Sequence, residues 1–271
     1  MLTIALLIIN FIIAGFGIYW FDYLPDQMIN HPLIIISSLV LGTIGMVIAL
    51  LMYIEVFYIL IAKRNPKTSM LKHKIAKQMV SIPLHLTHVK ITVEGMEHLP
   101  KDPGFTIFSN HTSLMDIPVL MYKLYEYPVA FLQKKVVANL FSVGKWTPEL
   151  GCVNIDRTNP RKGAEAIIQT IKHVKQGSTM VIFPEGTRGS EIGELLPFKD
   201  GAFKVALKSK APLVPITIVK PKRYKKIIWP LKKPIKLIIH PPLQYNTYKN
   251  LKSQELSERV KEIIKKSLET R

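Results

Sequence analysis

The sequence predicts an α/β domain with a mixed, mostly parallel sheet flanked by helices, preceded by an apolar hairpin of two helices. From residue 89 onward, short apolar runs alternate with stretches of helical periodicity, which is typical of α/β domains. Two long uncharged runs precede this part. Positive charge is confined to the chain beyond these two runs, because residues 1–62 hold no Lys or Arg whereas residues 63–271 hold all 37, against 16 acidic side chains.

The two uncharged runs are long enough to cross a membrane. Residues 1–21 and 33–54 carry no charged side chain, and at about 1.5 Å per residue each run reaches roughly 30 Å, the thickness of a hydrocarbon core. A cleavable signal peptide is the alternative for the first run, but the chain lacks the basic start of such a peptide. Two buried helices of a soluble protein are the alternative for both runs. We therefore predict a membrane hairpin over residues 1–62.

Charge at the ends of the runs predicts the orientation of this hairpin. The turn between the runs contains only acidic charges, Asp22 and Asp26, while lysines and an arginine crowd the exit of the second run. The positive-inside rule then places the rest of the chain in the cytoplasm, as part of a multi-pass protein of the cell membrane.

Residues 63–88 show a basic amphipathic pattern. Apolar side chains recur at helical spacing opposite lysines, with Leu71, Ile75, Met79 and Ile82 on one side and Lys72, Lys74 and Lys77 on the other. This pattern predicts a helix in the headgroup plane of an anionic membrane surface. A helix packed on its own domain is the alternative.

Residues 89–271 are expected to form one α/β domain with one core. Its predicted strands lie at 89–93, 105–108, 129–132, 180–183, 213–219 and 235–239, and its clearest helices at 161–175, 201–208 and 253–268. The pattern does not predict the strand order. The single cysteine, Cys152, excludes an internal disulfide, and since no histidine neighbours it we interpret it as a small buried residue.

The first polar cluster comes directly after the predicted strand at 105–108. His111 and Asp116 lie five positions apart in it. If a helix begins at Thr112 or Ser113, one turn brings the Asp116 carboxylate onto the His111 imidazole, where it would fix the tautomer and stabilise the imidazolium. His111 is therefore a candidate general base. The alternative is a capping aspartate beside a core histidine that is already hydrogen bonded.

Two further clusters come after predicted strands and offer cations. In the run from Phe183 to Arg188, Gly186 permits close backbone approach and Arg188 can form a bidentate pair with a phosphate. Lys199 adds a charge beside a glycine that opens a helix, and Arg157 ends a short strand. Together they indicate an anion site, although each arginine alone could be an ordinary loop residue.

Other site types find no match in the sequence. There is no G-x-S-x-G turn, Walker loop, dinucleotide fingerprint or metal-spaced His and Cys set. We therefore predict no cofactor and no metal. The basic part could suit nucleic acid, but the apolar hairpin makes an anionic membrane the simpler partner, so no nucleic acid is predicted. Compact size and lysine-rich composition lead us to expect a bacterial source.

Four motifs, taken in order, resemble those of the glycerolipid acyltransferases. They are Asn110-His111-x4-Asp116, Gly151 to Arg157, Phe183 to Arg188, and Val214-Pro215-Ile216. The resemblance covers residues 90–220 and is closest to the 1-acyl-sn-glycerol-3-phosphate acyltransferases. It implies transfer of an acyl group from acyl-carrier protein (ACP) or coenzyme A (CoA) to the sn-2 hydroxyl of lysophosphatidic acid, which makes phosphatidic acid in phospholipid biosynthesis.

The resemblance also implies roles for individual residues. His111 would deprotonate the hydroxyl and Asp116 would orient His111, as in the family's HX4D motif. The substrate-binding positions fall on Arg157, Glu185, Gly186, Thr187 and Arg188, with a weaker phosphate role for Lys134; Lys199 joins this set through its place in the cationic cluster. Pro215 would shape the acyl site. Asn154 departs from the family, which usually has a large apolar residue at its position. The alternatives are another lysolipid acceptor, a membrane thioesterase or a non-catalytic lipid-binding protein.

Overall fold

The chain divides into two compact units, residues 1–63 and 64–271, in a computed structural model. The structure describes residues 31–140, 143–228 and 230–269, together with Ile8, Ile12 and Tyr19. The division falls at the point where the sequence changes from uncharged to basic.

The first unit contains one long apolar helix. α1 (His31–Phe57) continues as a π-helix over Tyr58–Ala62. Within it, Ile36–Ala62 is long and apolar enough to cross a membrane, in keeping with the second predicted span. The first predicted span, residues 1–21, lies outside the described residues except for three helical positions. The two-helix hairpin therefore stays a prediction.

The second unit is built on a seven-stranded sheet. Its strands are β1 (Val89–Glu94), β2 (Thr106–Ser109), β3 (Val129–Lys134), β4 (Val153–Ile155), β5 (Thr179–Ile182), β6 (Leu213–Val219) and β7 (Lys233–Ile239). They lie in the order β1-β7-β6-β2-β5-β3-β4. All neighbours are parallel except β6 and β7, which are antiparallel. The predicted mixed, mostly parallel sheet is confirmed.

The helices of this unit connect the strands and cover them. They are α2 (Met70–Leu86), α3 (Asp116–Lys123), α4 (Val143–Glu149), α5 (Pro160–Lys175), α6 (Lys204–Ser209) and α7 (Ser253–Glu269). α5 starts as its sequence dictates, since the Asn159 side chain accepts the N–H of Lys162 and Pro160 takes the first helical position. Every residue of β2, β5 and β6 is buried, as expected for the centre of a sheet covered on both faces.

α2 packs on its own domain. Ile75 and Ile82, two of the four apolar residues expected to face the headgroups, are buried. Lys72, expected on the polar side, is buried as well and donates to the Glu149 carbonyl at 3.0 Å. Leu71 remains exposed. The packing thus agrees with the alternative given for this helix, because two of its apolar residues are already covered, and its contact with a membrane stays a prediction.

Candidate active site

The carboxyl ends of parallel strands bring the predicted polar clusters to one edge of the sheet. β2 lies between β5 and β6 and is parallel to both, and β3 and β4 continue the parallel run beyond β5. The loops after β2, β4 and β5 carry His111, Arg157 and Arg188 respectively. Open α/β sheets bind ligands at this edge.

His111 and Asp116 form a hydrogen-bonded pair. Nδ1 of His111 lies 2.9 Å from Oδ2 of Asp116. The same oxygen accepts the backbone N–H groups of Thr112 and Ser113, each at 2.9 Å. α3 begins only at Asp116, not at Thr112 or Ser113 as considered from the sequence. The pair therefore forms because residues 111–115 wrap around the carboxylate.

The imidazole of His111 is fixed in one tautomer and one plane. An ionised carboxylate can only accept, so Nδ1 carries the proton and Nε2 keeps its lone pair. The ring stacks on Phe183, with centroids 4.1 Å apart and planes at 16°. Its side chain is 13% exposed, whereas that of Asp116 is fully buried. Nε2 is therefore the nitrogen left to meet a substrate.

A buried lysine completes this cluster. Lys220, the first residue after β6, donates from Nζ to Oδ1 of Asp116 and to Oγ1 of Thr112, the latter at 2.7 Å. The side chains of Lys220 and Asp116 are both 0% exposed. The sequence analysis missed Lys220, because it opens a run of seven basic residues from 220 to 233 that resembles a solvated loop. The one available signal was its place directly after a buried strand.

The ionisation of Asp116 results from these contacts. Burial alone would raise the pKa of Asp116, but the hydrogen bond from His111 and the charge of Lys220 outweigh burial and lower it below its usual value. Burial lowers the pKa of Lys220, and the charge of Asp116 opposes that change. The carboxylate is thus ionised at neutral pH and able to stabilise a positive imidazole.

Glu185 lies behind His111 and is not among the residues that line the cleft around it. Its Oε1 accepts the backbone N–H of His111 at 2.7 Å, and its Oε2 accepts that of Leu196 at 3.1 Å. Gly189 N–H returns a bond to the His111 carbonyl at 2.8 Å. Burial raises the pKa of Glu185 to about 7. Glu185 joins the loops after β2 and β5, and this geometry gives no support to its predicted contact with an acceptor.

Asn110 holds the start of the His111 loop on the sheet. Its Nδ2 donates to the Ile218 carbonyl at 2.9 Å, and its Oδ1 accepts the Ile218 N–H at 2.8 Å. The Asn110 amide, directly after the end of β2, thereby pairs with both the backbone N–H and the backbone carbonyl of Ile218 on β6. The position of His111 at the sheet edge depends on this link, which the sequence analysis did not identify.

A cleft of about 160 Å³ brings His111 together with most of the predicted cations. The residues lining it that the sequence analysis singled out are His111, Lys134, Arg157, Gly186, Thr187 and Arg188. Among the described residues, no acidic side chain lines this cleft. A cleft whose charged side chains are all positive concentrates an anionic substrate, so the arrangement suits a phosphate group close to a base.

Gly186 keeps space open beside two of the cations. Its φ is +75°, and a β-carbon there would lie 2.7 Å from Nη1 of Arg157 and 3.0 Å from Cε of Lys199. Lys199 does not line the cleft around His111. It lines an adjoining apolar cavity of about 450 Å³, which Arg157 and Gly186 also border. Lys199 therefore lies next to Gly186 but outside the cleft around His111, and its role in substrate binding stays a prediction.

Asn154, which stands where the family usually has a large apolar residue, pairs with a polar side chain on the neighbouring strand. Gln133 on β3 pairs with Asn154 on β4, and its Nε2 donates to Oδ1 of Asn154 at 2.9 Å. Gln133 lines the cleft around His111. The two amides satisfy each other, which is what a polar residue on a half-buried strand requires.

Cys152 does not take part in this chemistry. It is buried, and burial raises the pKa of its thiol to about 12, so at neutral pH it carries no thiolate nucleophile. This agrees with its interpretation as a small buried residue. In the described parts of the chain, no three His, Cys, Asp or Glu side chains lie close enough to hold a metal ion. The absence of a cofactor stays a prediction.

Comparison with known proteins decides the family. A family model described as Acyltransferase matches residues 90–219. The 1-acyl-sn-glycerol-3-phosphate acyltransferase of Bacillus subtilis (strain 168) is 33% identical over 184 residues, which cover 65% of this chain and 89% of that protein. The chain belongs to the 1-acyl-sn-glycerol-3-phosphate acyltransferase family. The resemblance predicted from four ordered motifs is confirmed, and the protein is an acyltransferase.

Other relatives agree with this family. The 1-acyl-sn-glycerol-3-phosphate acyltransferase of Borreliella burgdorferi is 29% identical over 193 residues, covering 70% of this chain and 76% of that protein. The chloroplastic enzyme BAT2 of Brassica napus is 32% identical over 204 residues, and the matched part spans only 58% of its length. The crystal structure of the LPA acyltransferase PlsC from Thermotoga maritima matches with a TM-score of 0.57 at 24% identity, covering 99% of this chain and 94% of that one. This last match shows a shared fold.

Proposed function

We propose that the protein transfers an acyl group from an acyl thioester, acyl-ACP or acyl-CoA, to the sn-2 hydroxyl of 1-acyl-glycerol-3-phosphate, and so makes phosphatidic acid for phospholipid biosynthesis. One observation carries the proposal: His111, held by Asp116 at 2.9 Å, lines the same cleft as Arg157 and Arg188. The names of the relatives supply the acceptor, lysophosphatidic acid.

The chemistry depends on the free nitrogen of His111. Nε2 takes the proton of the sn-2 hydroxyl as its oxygen attacks the thioester carbonyl, and Asp116 stabilises the imidazolium that forms. The C–S bond then breaks, and the departing thiolate takes the proton from the imidazolium to leave a free thiol. Each turnover returns His111 to its starting state. A thioester is already an activated acyl donor, so a positioned base and bound substrates suffice.

The cations of the cleft bind the acceptor phosphate in this proposal. Arg157, Arg188 and Lys134 line the cleft with His111, and a guanidinium offers paired N–H groups that match two phosphate oxygens. A phosphate held there leaves the glycerol hydroxyl directed toward the base.

The adjoining apolar cavity provides space for an acyl chain. Its wall is formed by one face of α5 and by residues of β3, β4 and β5, through Leu132, Ile155, Ile167, Ile168, Ile171 and Ile182. Since Arg157, Phe183 and Gly186 line both spaces, a chain in this cavity would begin beside the reacting groups. Burial of its methylene groups contributes about 0.8 kcal/mol each.

We further propose that this reaction takes place at the cytoplasmic face of the cell membrane. The helix that includes Ile36–Ala62 supports membrane attachment, and the basic residues directly after it support a cytoplasmic catalytic domain. An anionic membrane surface then serves as both the source of the acceptor and the destination of the product.

A matrix of donors and acceptors tests the proposed function. The full chain in detergent is given acyl-ACP and acyl-CoA of several chain lengths, with lysophosphatidate, other lysolipids or no acceptor, and thiol release and lipid product are measured. We expect release only with lysophosphatidate. His111→Ala should abolish it, whereas His85→Ala, at an exposed histidine outside the cleft, should retain it.

The other outcomes identify other functions. Thiol release without any acceptor would indicate a thioesterase. Product from a different lysolipid would indicate an acyltransferase with a different acceptor. No turnover with any carrier, or full activity in His111→Ala, would contradict the proposed function.

A further inference from the structure

The His111–Asp116 pair has a third member, Lys220, which lies directly after β6. Lys220 reaches the Asp116 oxygen that His111 does not use, so the two oxygens of the carboxylate are divided between a lysine and a histidine. Lys220 also donates to the Thr112 hydroxyl at 2.7 Å. Its side chain is fully buried and does not line the cleft, so any effect on the chemistry must pass through its partners, of which Asp116 is the one that contacts His111.

Other charged and titratable groups face this lysine from the elements around it. Burial is the largest cause of the lowered pKa of Lys220, and the nearby charge of Lys225 lowers that pKa further. The ring of Tyr224 lies 5.4 Å from its ammonium, and burial raises the pKa of the Tyr224 hydroxyl to about 12. Glu185 is the other acid close enough to interact with Asp116. Asp116 is thus the partner that keeps the Lys220 ammonium charged.

We propose that Lys220 is a positioning residue that holds Asp116 toward His111 and, by offsetting the carboxylate charge, keeps the imidazole unprotonated and ready to act as a base. The proposal rests on the proposed function of His111. It assigns Lys220 no contact with substrate.

The physical basis is the net charge that His111 senses. A buried carboxylate without a second partner would strongly favour the imidazolium over the neutral imidazole. A lysine on the far oxygen leaves a nearly neutral pair, so the imidazolium gains less. The lysine also fixes the carboxylate rotation, which leaves Oδ2 to receive the Nδ1 proton.

Three variants separate charge from orientation. Lys220→Arg keeps the charge, Lys220→Gln keeps a hydrogen-bond donor without charge, and Lys220→Met removes both. The measurement is the pH profile of kcat/KM for acyl transfer by the full chain in detergent, whose acid limb reports the base of the free enzyme. We expect the acid limb to move up by about one pH unit in the Gln and Met variants and to stay in place in the Arg variant. Only the Met variant should also lose a large part of its kcat at the optimum.

Lys72 provides the matched control. It is equally buried and pairs with a carboxylate, with Nζ 3.5 Å from Oε2 of Glu149, yet neither residue lines the cleft. Lys72→Gln should lower thermal stability and leave the acid limb unmoved.

Two results would overturn the role of Lys220. One is an acid limb in Lys220→Gln that coincides with that of the wild type. The other is a Lys220→Gln variant that unfolds while Lys72→Gln folds, which would make Lys220 a structural tether. An inactive wild type would contradict the proposed function instead, so the two failures are distinguishable.

Discussion

The loops after β2 and β5 each bury a carboxylate, and the two carboxylates behave in opposite ways. Asp116 accepts a hydrogen bond from the His111 ring on one oxygen and has the Lys220 ammonium on the other, and these partners lower its pKa despite burial. Glu185 receives only two neutral backbone N–H groups, and burial raises its pKa to about 7. Burial alone therefore does not decide the charge of a carboxylate. The positive charge of Lys220 keeps Asp116 ionised, as its proposed role beside His111 requires, whereas the hydrogen bonds of Glu185 link two loops.

The largest expected effect comes from neutralising Asp116. Asp116→Asn removes the negative charge that stabilises the imidazolium and the counter-charge of Lys220. In either orientation its NH2 group meets other donors, the backbone N–H groups of Thr112 and Ser113 or Nζ of Lys220, so His111 also loses its fixed tautomer. We expect kcat/KM to fall by about 10³-fold, measured with saturating donor at neutral pH.

Circular dichroism of the same Asp116→Asn sample serves as the folding control for this experiment. A folded variant with more than a tenth of the wild-type rate would contradict the catalytic role of Asp116.

Removing a phosphate-binding cation should act on binding rather than on chemistry. A charge-assisted hydrogen bond contributes about 1.5–3 kcal/mol, so Arg188→Ala is expected to raise the lysophosphatidate KM by roughly 10- to 100-fold, since each 1.4 kcal/mol is a factor of ten. Its kcat should change little, because the base is intact.

Arg161→Ala is the matched control, since the Arg161 side chain is 91% exposed, pairs with Glu165 on the same helix, α5, and does not line the cleft. An equal rise of KM in both variants would indicate a general surface-charge effect and not a phosphate site.

The smallest effect on activity is expected for Glu185→Gln. This variant should lower kcat/KM by less than about tenfold, since its amide oxygen still accepts one backbone N–H. Its signature lies in stability. A raised pKa means that the folded state holds its proton after the unfolded state has lost it, so wild-type stability falls as pH rises from about 4.5 to about 7. Glu185→Gln should escape this loss.

Thermal unfolding of the full chain in detergent across that pH range measures the difference. The melting temperature of Glu185→Gln should gain on the wild type as pH rises, whereas the exposed Glu191→Gln should run parallel to it. Parallel curves for Glu185→Gln would contradict the assignment. Asp116 has the opposite sign: with its lowered pKa, its contribution to stability is present above its unfolded pKa and is lost as pH falls.

Local patterns predicted the strands because a buried parallel strand is a short continuous apolar run. The observed bounds of β6 match the predicted ones, and the other predicted strands differ by at most two residues at either end. The strand order was not predictable, since it depends on which strands pair across the sheet. The helix considered at Thr112 or Ser113 begins only at Asp116, as α3, and α4 was not identified, because helices of eight and seven residues give little periodicity to detect.

Some residues of the candidate site were likewise predictable from the sequence and others were not. His111 and Asp116 were predictable because they lie close in sequence and one short loop joins them. Lys220 lies 104 positions from Asp116, and a charged side chain in a basic run gives no sign that it turns inward. Glu185 was assigned to the acceptor site through the family resemblance. Its neighbours Gly186 and Arg188 line the cleft and Glu185 does not, since adjacent residues in a loop can point to opposite sides.

The Phe183 ring lies against the His111 imidazole over most of its face. An imidazole confined in this way cannot flip about its last side-chain bond to exchange its two nitrogens without first separating from its aromatic neighbour. The same nitrogen, Nε2, must then both accept the proton and give it back. In addition, the electron-rich face of Phe183 favours the imidazole most when the imidazole is positively charged. In the proposed mechanism, a benzene ring with no acid or base chemistry of its own would thus help at the moment when the histidine holds the substrate's proton.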